Sequence, residues 1–590
     1  MNLDILKNID SPEDVKKLKN EQLKELATEI RALLLEKVST VGGHCGPNLG
    51  MVEATIAMHY VFNSPIDKIV YDVSHQSYVH KMLTGRKNAF INPAEYKSVT
   101  GYTSQHESKH DFFTIGHTST SVSLACGLAK ARDVKGEKGN VIAVIGDGSL
   151  SGGEAYEGLN NASASNKNII ILVNDNDMSI APNYGGLYQN LRLLRETNGQ
   201  AETNLFKALG FDYYYVGEGN NVEALIETFS KVKDVDHPVV VHIHTTKGLG
   251  YKYAMENKEL FHYIVPFDKE SGKILDENTD ESYLTIMSDF LSEKAKKDKT
   301  VVGITAATPA YVGFNTFRNE FKDQFIDVGI AEEHAIALAS GMASQGAKPV
   351  VGIFASFIQR TYDQLSQDLA INNNPALIVV HGGGINTGVS SSDVTHLGIF
   401  DIPLISNIPN IVYLAPTNKE EYLAMLEWGL EQQEHPVAVR TPGLGVVTTG
   451  KKVVADFSKL NTYEKVSNGS EVAIIALGDF FTLGENVKEL LKTETGIDAT
   501  LINPRFITGI DKDMLNSLLD NHKLVITLED GLLDGGFGEK IARFYGDKAM
   551  KVVNFGATKE FTDNVSREDL YQRYHLTKEL IVEDVKSALK

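Results

Sequence analysis

At 590 residues the chain exceeds what one hydrophobic core supports, and the length predicts roughly three or four domains. Its 42% hydrophobic and 23% charged residues exclude extended disorder. A formal net charge of -20 excludes a partner recognised through its phosphate backbone, so no nucleic-acid binding is expected.

From Ser11 to about Thr40, Leu18, Leu23, Leu26, Ile30, Leu33, Leu34 and Val38 recur at spacings of three and four, which predicts an amphipathic helix or pair of helices. Val141–Ile145 and Asn168–Val173 are short apolar runs rich in β-branched residues. They read as buried parallel strands joined by a helical crossover, and Pro238–His242 fits the same sheet. Between about Asp268 and Glu281 the chain turns polar and charged, as a linker does. A second α/β pattern follows, with strand-like runs at Val301–Ile304, Pro349–Ile353, Ala376–Val380 and Ile411–Leu414 and helices starting near Glu332 and Phe357. After Thr448 the sequence is loop-like until Glu471, where Val472–Leu477 and Lys523–Leu528 mark a third block. The expected architecture is three open, mostly parallel α/β domains, spanning 1–272, 281–447 and 465–590.

Cys45 and Cys126 are too few for a disulfide framework and lack metal-ligand spacing. The first residues lack the basic-then-apolar order of a signal peptide, and no run of about 18 apolar residues occurs. A cytoplasmic protein with no membrane partner is expected.

The sharpest local signal is a pair of motifs. Gly146-Asp147-Gly148 and Asn174-Asp175-Asn176 each end a buried run, and Asp147 and Asn176 stand 29 residues apart, enough for one β-α-β unit. Both then project from the carboxyl edge of neighbouring strands, where open α/β sheets bind ligands. A hard divalent cation takes oxygen donors. Asp147, the side-chain oxygen of Asn176 and the main-chain oxygen of Met178 supply them for Mg²⁺, and the small Gly146 and Gly148 admit a diphosphate. Gly-Asp-Gly alone is more often a plain turn; paired with Asn-Asp-Asn it points to thiamine diphosphate. That cofactor also needs a carboxyl to protonate its aminopyrimidine. Glu332, at the start of a helix in the second block, is the candidate, although glutamate in a first turn is also ordinary helix-dipole sequence. Phe354 to Phe357 offer an aromatic face for the pyrimidine, a pattern equally suited to core.

Gly42-Gly-His44-Cys-Gly-Pro-Asn-Leu-Gly50, Tyr71-Asp-Val-Ser-His75-Gln, Gly116-His117-Thr-Ser119, Gly146-Asp147-Gly148, Asn174-Asp-Asn176-Asp-Met178, Phe261-His262, Gly329-Ile-Ala-Glu332, Phe357-Ile-Gln-Arg360 and Thr395-His396-Leu-Gly follow one another in order. This series resembles the 1-deoxy-D-xylulose-5-phosphate synthases, members of the transketolase-like thiamine diphosphate enzymes, over essentially the whole chain. The resemblance implies a transketolase-like architecture whose three domains bind the diphosphate with Mg²⁺, bind the pyrimidine, and close the chain. It implies that His44, His75, His117 and His262 line the cleft above the thiazolium, with Asp393 and His396 contributed by the second domain. Cofactor contacts are implied for His75, Gly116, His117, Ser119, Gly146, Asp147, Gly148, Ser149, Asn176, Met178, Ile180, Lys247, Glu332, Phe357 and Arg360. Also implied are decarboxylation of pyruvate, carboligation to D-glyceraldehyde 3-phosphate, the product 1-deoxy-D-xylulose 5-phosphate as a precursor of isoprenoids, thiamine and pyridoxal, and a homodimer with each active site between two domains of one chain.

Three departures stand out. The family's two arginines for the acceptor phosphate are replaced by Gly382, in His381-Gly382-Gly383-Gly384, and by Gly443, in Arg440-Thr441-Pro442-Gly443. Losing two bidentate guanidinium contacts costs several kcal/mol of phosphate binding, on the order of what such charge-assisted bonds supply. The segment between Ile385 and Thr395 is long and adds Ser390, Ser391 and Ser392, hydroxyls suited to a polyol or, with the Gly382–Gly384 amides, to a phosphate nest. The 181–203 segment is short, and Phe354 stands where a tyrosine is expected. Two alternatives follow: a transketolase-like carboligase with a different, unphosphorylated acceptor or a different donor, and a non-catalytic thiamine diphosphate-binding paralogue. Retention of Glu332 and four cleft histidines speaks against the last.

Overall fold

A computed structural model describes residues 3–165, 167–276, 280–386 and 393–590; Ser390, Ser391 and Ser392 lie outside them. The chain divides into two compact units, one of residues 1–279 with 329–331, the other of 280–328 with 332–590.

The first unit is built on five parallel strands: β1 (Lys68–Tyr71), β2 (Val141–Gly146), β3 (Ile169–Asp175), β4 (Asp212–Val216) and β5 (Pro238–His244), in the order β1-β2-β3-β5-β4. The residues of β3 are all buried, as they must be when helices cover both faces of a parallel sheet. One face packs on the amphipathic N-terminal segment, which forms the helices Pro12–Val15 and Asn20–Val41. The other packs on the helices Ser121–Val134 and Gly153–Ser163.

The second unit holds two sheets. Six parallel strands, β6 (Val301–Thr305), β7 (Phe325–Asp327), β8 (Lys348–Phe354), β9 (Leu377–His381), β10 (Val412–Leu414) and β11 (Val437–Arg440), run in the order β10-β11-β9-β8-β6-β7. The third sheet contains β12 (Glu464–Ser467), β13 (Glu471–Ala476), β14 (Thr500–Asn503), β15 (His522–Leu532) and β16 (Lys551–Ala557), ordered β12-β14-β13-β15-β16; only the edge strand β12 is antiparallel. Every buried run read from the sequence is a strand. The helix expected at Glu332 spans Glu332–Ala343. The helix expected near Phe357 is present but irregular, a tight turn at Ile358–Thr361 running into a wider-wound helical stretch at Gln364–Ala370. No helix among the described residues is long and apolar enough to cross a membrane.

Candidate active site

In the first unit the carboxyl edges of β2 and β3 adjoin, with Gly146 opposite Asn174 in the parallel ladder. Asp147 follows β2 directly, and its Oδ2 accepts hydrogen bonds from Met178 N at 3.0 Å and Asn183 Nδ2 at 2.7 Å. Its neighbour Asp175 is fully engaged, with Arg195 NH1 at 2.8 and 2.7 Å from its two oxygens and His242 Nε2 at 2.9 Å. Burial opposes ionisation of Asp175, but the bonds from His242 and Arg195 outweigh it and hold the carboxyl low. Among the described residues Asp147 has no hydrogen bond from a cation, and Lys247 acts on it only as a more distant charge. Burial, then the charge of Asp175, pushes its carboxyl well above the ordinary range.

Close by, Asn176 Oδ1, Asn183 Oδ1 and Ser179 Oγ are buried without a hydrogen-bond partner among the described residues. Orphaned buried acceptors cost roughly 1–3 kcal/mol each unless something arrives to bind them. A buried carboxylate that carries Asn183 on one oxygen, with unpaired oxygens on Asn183 and on Asn176 and Ser179 of the same loop, fits a hard divalent cation. The described residues hold no cluster of three or more His, Cys, Asp or Glu for a metal, so the remaining ligands of such an ion must be amide, main-chain or diphosphate oxygens. Gly148 fits the same reading, because a Cβ there would lie 2.8 Å from Ser179 Oγ, whereas one on Gly146 would point into open space.

Three of the four expected histidines converge. The His44 and His75 ring centroids are 5.0 Å apart, His75 and His262 5.1 Å, and His44 and His262 5.8 Å. Local structure explains this. An isolated bridge joins Gly43 to Ile264, bringing the segments of His44 and His262 together. Asn48, wholly buried, donates through Nδ2 to both His44 O and His75 O at 2.8 Å and accepts from Tyr78 N at 2.9 Å. Lys247, 2% exposed, donates to Ser179 O at 2.7 Å and lies 3.0 Å from His262 Nδ1. Burial lowers Lys247 to about 7. Burial, then the Lys247 charge, drives His262 well below its usual value, so its imidazole is held neutral.

His117 and Gly116 sit in a loop that Asp72 anchors, its Oδ1 accepting from Ser119 N at 2.8 Å and its Oδ2 from Ser121 N at 3.0 Å. Ser119 has φ +75° and donates through Oγ to Ser149 O at 2.8 Å, tying this loop to the turn after Asp147. Ile180 follows the orphaned Ser179 in the loop after β3.

In the second unit Glu332 is the first residue of its helix, 4% exposed, with Arg360 NH1 3.9 Å from its Oε2. Burial raises this carboxyl to about 7 against the pull of Arg360. Phe357 packs edge to face on Phe354 (5.5 Å) and on His396 (5.6 Å). His396 Nδ1 lies 2.9 Å from Asp393 Oδ2. Burial resists ionisation of Asp393, but the bond to His396 keeps the carboxyl low. At the strand ends, Gly443 N donates to Asp479 Oδ2 at 2.7 Å, and Arg440 lies buried between Asp401 and Asp530, with Nε 2.6 Å from Asp401 Oδ2.

Sequence reasoning missed Asn48, Asp72, Asn183, Asp479 and Asp530. None carries a periodic or spaced signal. For Asn183 the one available hint was its place in the loop just after Asn-Asp-Asn-Asp-Met.

A family model described as 1-deoxy-D-xylulose-5-phosphate synthase matches residues 6–204 and 197–245, the transketolase pyrimidine binding domain matches 281–444, and the transketolase C-terminal domain matches 461–581. The chain is 39% identical to the 1-deoxy-D-xylulose-5-phosphate synthase of Clostridium tetani, covering 97% of each chain. It is 38% identical to that of Caldanaerobacter subterraneus subsp. tengcongensis, covering 98% of each. Transketolase from Campylobacter jejuni aligns at 16% identity with a TM-score of 0.46, over 97% of this chain and 100% of that one.

Proposed function

The chain belongs to the 1-deoxy-D-xylulose-5-phosphate synthase family, and from that membership we propose that it is a transferase that decarboxylates pyruvate with thiamine diphosphate. The remaining two-carbon unit is joined to D-glyceraldehyde 3-phosphate, giving 1-deoxy-D-xylulose 5-phosphate for isoprenoid, thiamine and pyridoxal synthesis. The observation that supports this best is the triad of converging imidazoles, His44, His75 and His262, in the same unit as the orphaned oxygen donors around Asp147.

Thiamine diphosphate, when bound, supplies the nucleophilic carbon and the electron sink. Asp147, Asn176 Oδ1 and the main-chain oxygen of Met178 are the residues to hold Mg²⁺. Gly116, His117, Ser119, Gly146, Gly148, Ser149, Ile180 and Lys247 surround the diphosphate side in this reading, and Phe357 and Arg360 the pyrimidine side. Glu332, poised near neutrality, exchanges a proton with the aminopyrimidine. His44, His75, His117 and His262 move protons to and from the substrate oxygens, and Asp393 holds the tautomer of His396. A homodimer in the cytoplasm, with the second unit divided into a pyrimidine-binding domain (281–447) and a C-terminal domain (465–590), completes the proposal.

One observation favours a second reading, in which the acceptor carries no phosphate: glycine stands at 382 and 443, and the Gly443 amide is bound to the Asp479 carboxylate. The test is CO₂ release from pyruvate with Mg²⁺ and thiamine diphosphate, alone, with D-glyceraldehyde 3-phosphate, and with D-glyceraldehyde. Stimulation by the phosphorylated aldehyde is expected. A preference for the unphosphorylated one transfers the assignment to the second reading, and no CO₂ under any condition removes both.

A further inference from the structure

We propose that Asn183 is a further residue of the cation site: a positioning residue whose amide N–H fixes the Asp147 carboxylate and whose amide oxygen faces the hydration shell of the divalent ion. The inference rests on the cofactor reading above and adds a residue to it.

The geometry is specific. Asp147 Oδ2 already accepts from Met178 N (3.0 Å) and Asn183 Nδ2 (2.7 Å), which turns the carboxylate so that Oδ1 is the oxygen left for a cation. The Asn183 amide cannot be reversed, because reversal would set its oxygen against a carboxylate oxygen. With Nδ2 committed, Oδ1 is a buried acceptor with no partner among the described residues, in the same condition as Asn176 Oδ1 and Ser179 Oγ. Three orphaned acceptors near one carboxylate make a set of oxygen donors alone, which suits a hard, hydrated divalent cation. Asn183 also joins the site to structure behind it. Its loop leads into the helix Gly186–Glu196, whose Tyr188 OH donates to Gly148 O at 3.3 Å and whose Arg195 holds Asp175. A group that orients a ligand in this way typically sets metal affinity by 10–100-fold, the usual size for an outer-shell partner.

The experiment is a Mn²⁺ titration of the full-length protein with thiamine diphosphate, read by loss of the free-ion electron paramagnetic resonance signal. Asn183→Ala is expected to weaken Mn²⁺ binding about 10–100-fold while the melting temperature of the metal-free protein stays at the parent value. Affinity within two-fold of the parent overturns the proposal. Should the alanine variant fail to fold, Asn183→Leu, which keeps the volume and removes both amide atoms, decides. Its Mn²⁺ affinity is expected to fall about 10–100-fold, and an affinity within two-fold of the parent overturns the proposal. If the parent protein itself binds no Mn²⁺, the cofactor reading fails, a result distinct from the failure of Asn183 alone.

Discussion

Glu332→Gln is predicted to stabilise the cofactor-free protein while destroying its activity. The carboxyl is 4% exposed and raised by burial to about 7 from the ordinary glutamate value of 4.5. Between those values the folded chain binds one proton more than the unfolded chain, so stability falls as pH rises. Each pH unit in that window is worth about 1.4 kcal/mol, which makes the full penalty about 3 kcal/mol, with about 2 kcal/mol of it falling between pH 5.5 and pH 8. Glutamine has the shape of the protonated acid and does not titrate, so it matches the parent in acid and escapes the penalty in base. Urea unfolding of cofactor-free parent and variant at the two pH values measures the gap, and everything the two proteins share cancels in the difference. The variant's advantage should widen by about 2 kcal/mol from pH 5.5 to pH 8, and CO₂ release from pyruvate should vanish. A gap that stays constant with pH refutes the raised carboxyl, and full activity in the variant refutes its role at the aminopyrimidine.

Asp147→Asn removes the charge that a cation needs but keeps the acceptor shape. Isothermal titration should find Mg²⁺-dependent thiamine diphosphate binding weakened by more than the roughly 10–100-fold typical of losing an outer-shell partner, with the cofactor-free protein at pH 8 no less stable than the parent. Arg440→Met leaves Asp401 and Asp530 buried without their shared guanidinium. Breaking a buried pair by removing one partner costs about 3–5 kcal/mol, so the second unit should unfold at visibly lower denaturant, and an unchanged midpoint would show that the cluster is not held by that charge. Gly384→Ala should be comparably damaging, since φ is +76° and the added Cβ would lie 2.0 Å from Asp530 Oδ2; a melting temperature equal to the parent's would mean that Asp530 moves aside freely.

The fold was legible where burial was complete. In a parallel sheet covered on both faces a strand becomes an unbroken apolar run, and β2, β3, β5, β6, β8, β9, β10, β13 and β15 announced themselves that way. The strands that escaped notice are short or lie at edges. β7 has three residues, β4 is a half-exposed run of tyrosines, and β12 is an exposed antiparallel edge reading Glu-Lys-Val-Ser. The same logic divides the site. Asp147 and Asn176 could be read because each ends a buried run, so the sheet dictates where they point. Asn48, Asp72 and Asn183 work through hydrogen bonds to main chain or to another ligand, and nothing in residue spacing reveals such a bond before the loops are folded.

The two sets of candidate residues therefore stand differently. Among the residues expected to handle the cofactor, His44 and His75 are held together by Asn48. At the expected acceptor end glycine stands at 382 and 443 in place of the two arginines, and two nearby arginines among the described residues are already engaged. Arg440, three residues before Gly443, is locked in the interior by Asp401 and Asp530, and Arg360 lies against Glu332. The amide of Gly443 is already bound to Asp479, whose carboxyl is raised by burial. On the proposed function, a phosphate seeking that amide competes with Asp479 for its N–H. Such a site is predicted to hold a phosphorylated acceptor less tightly than a bidentate arginine would, which a raised acceptor KM would show.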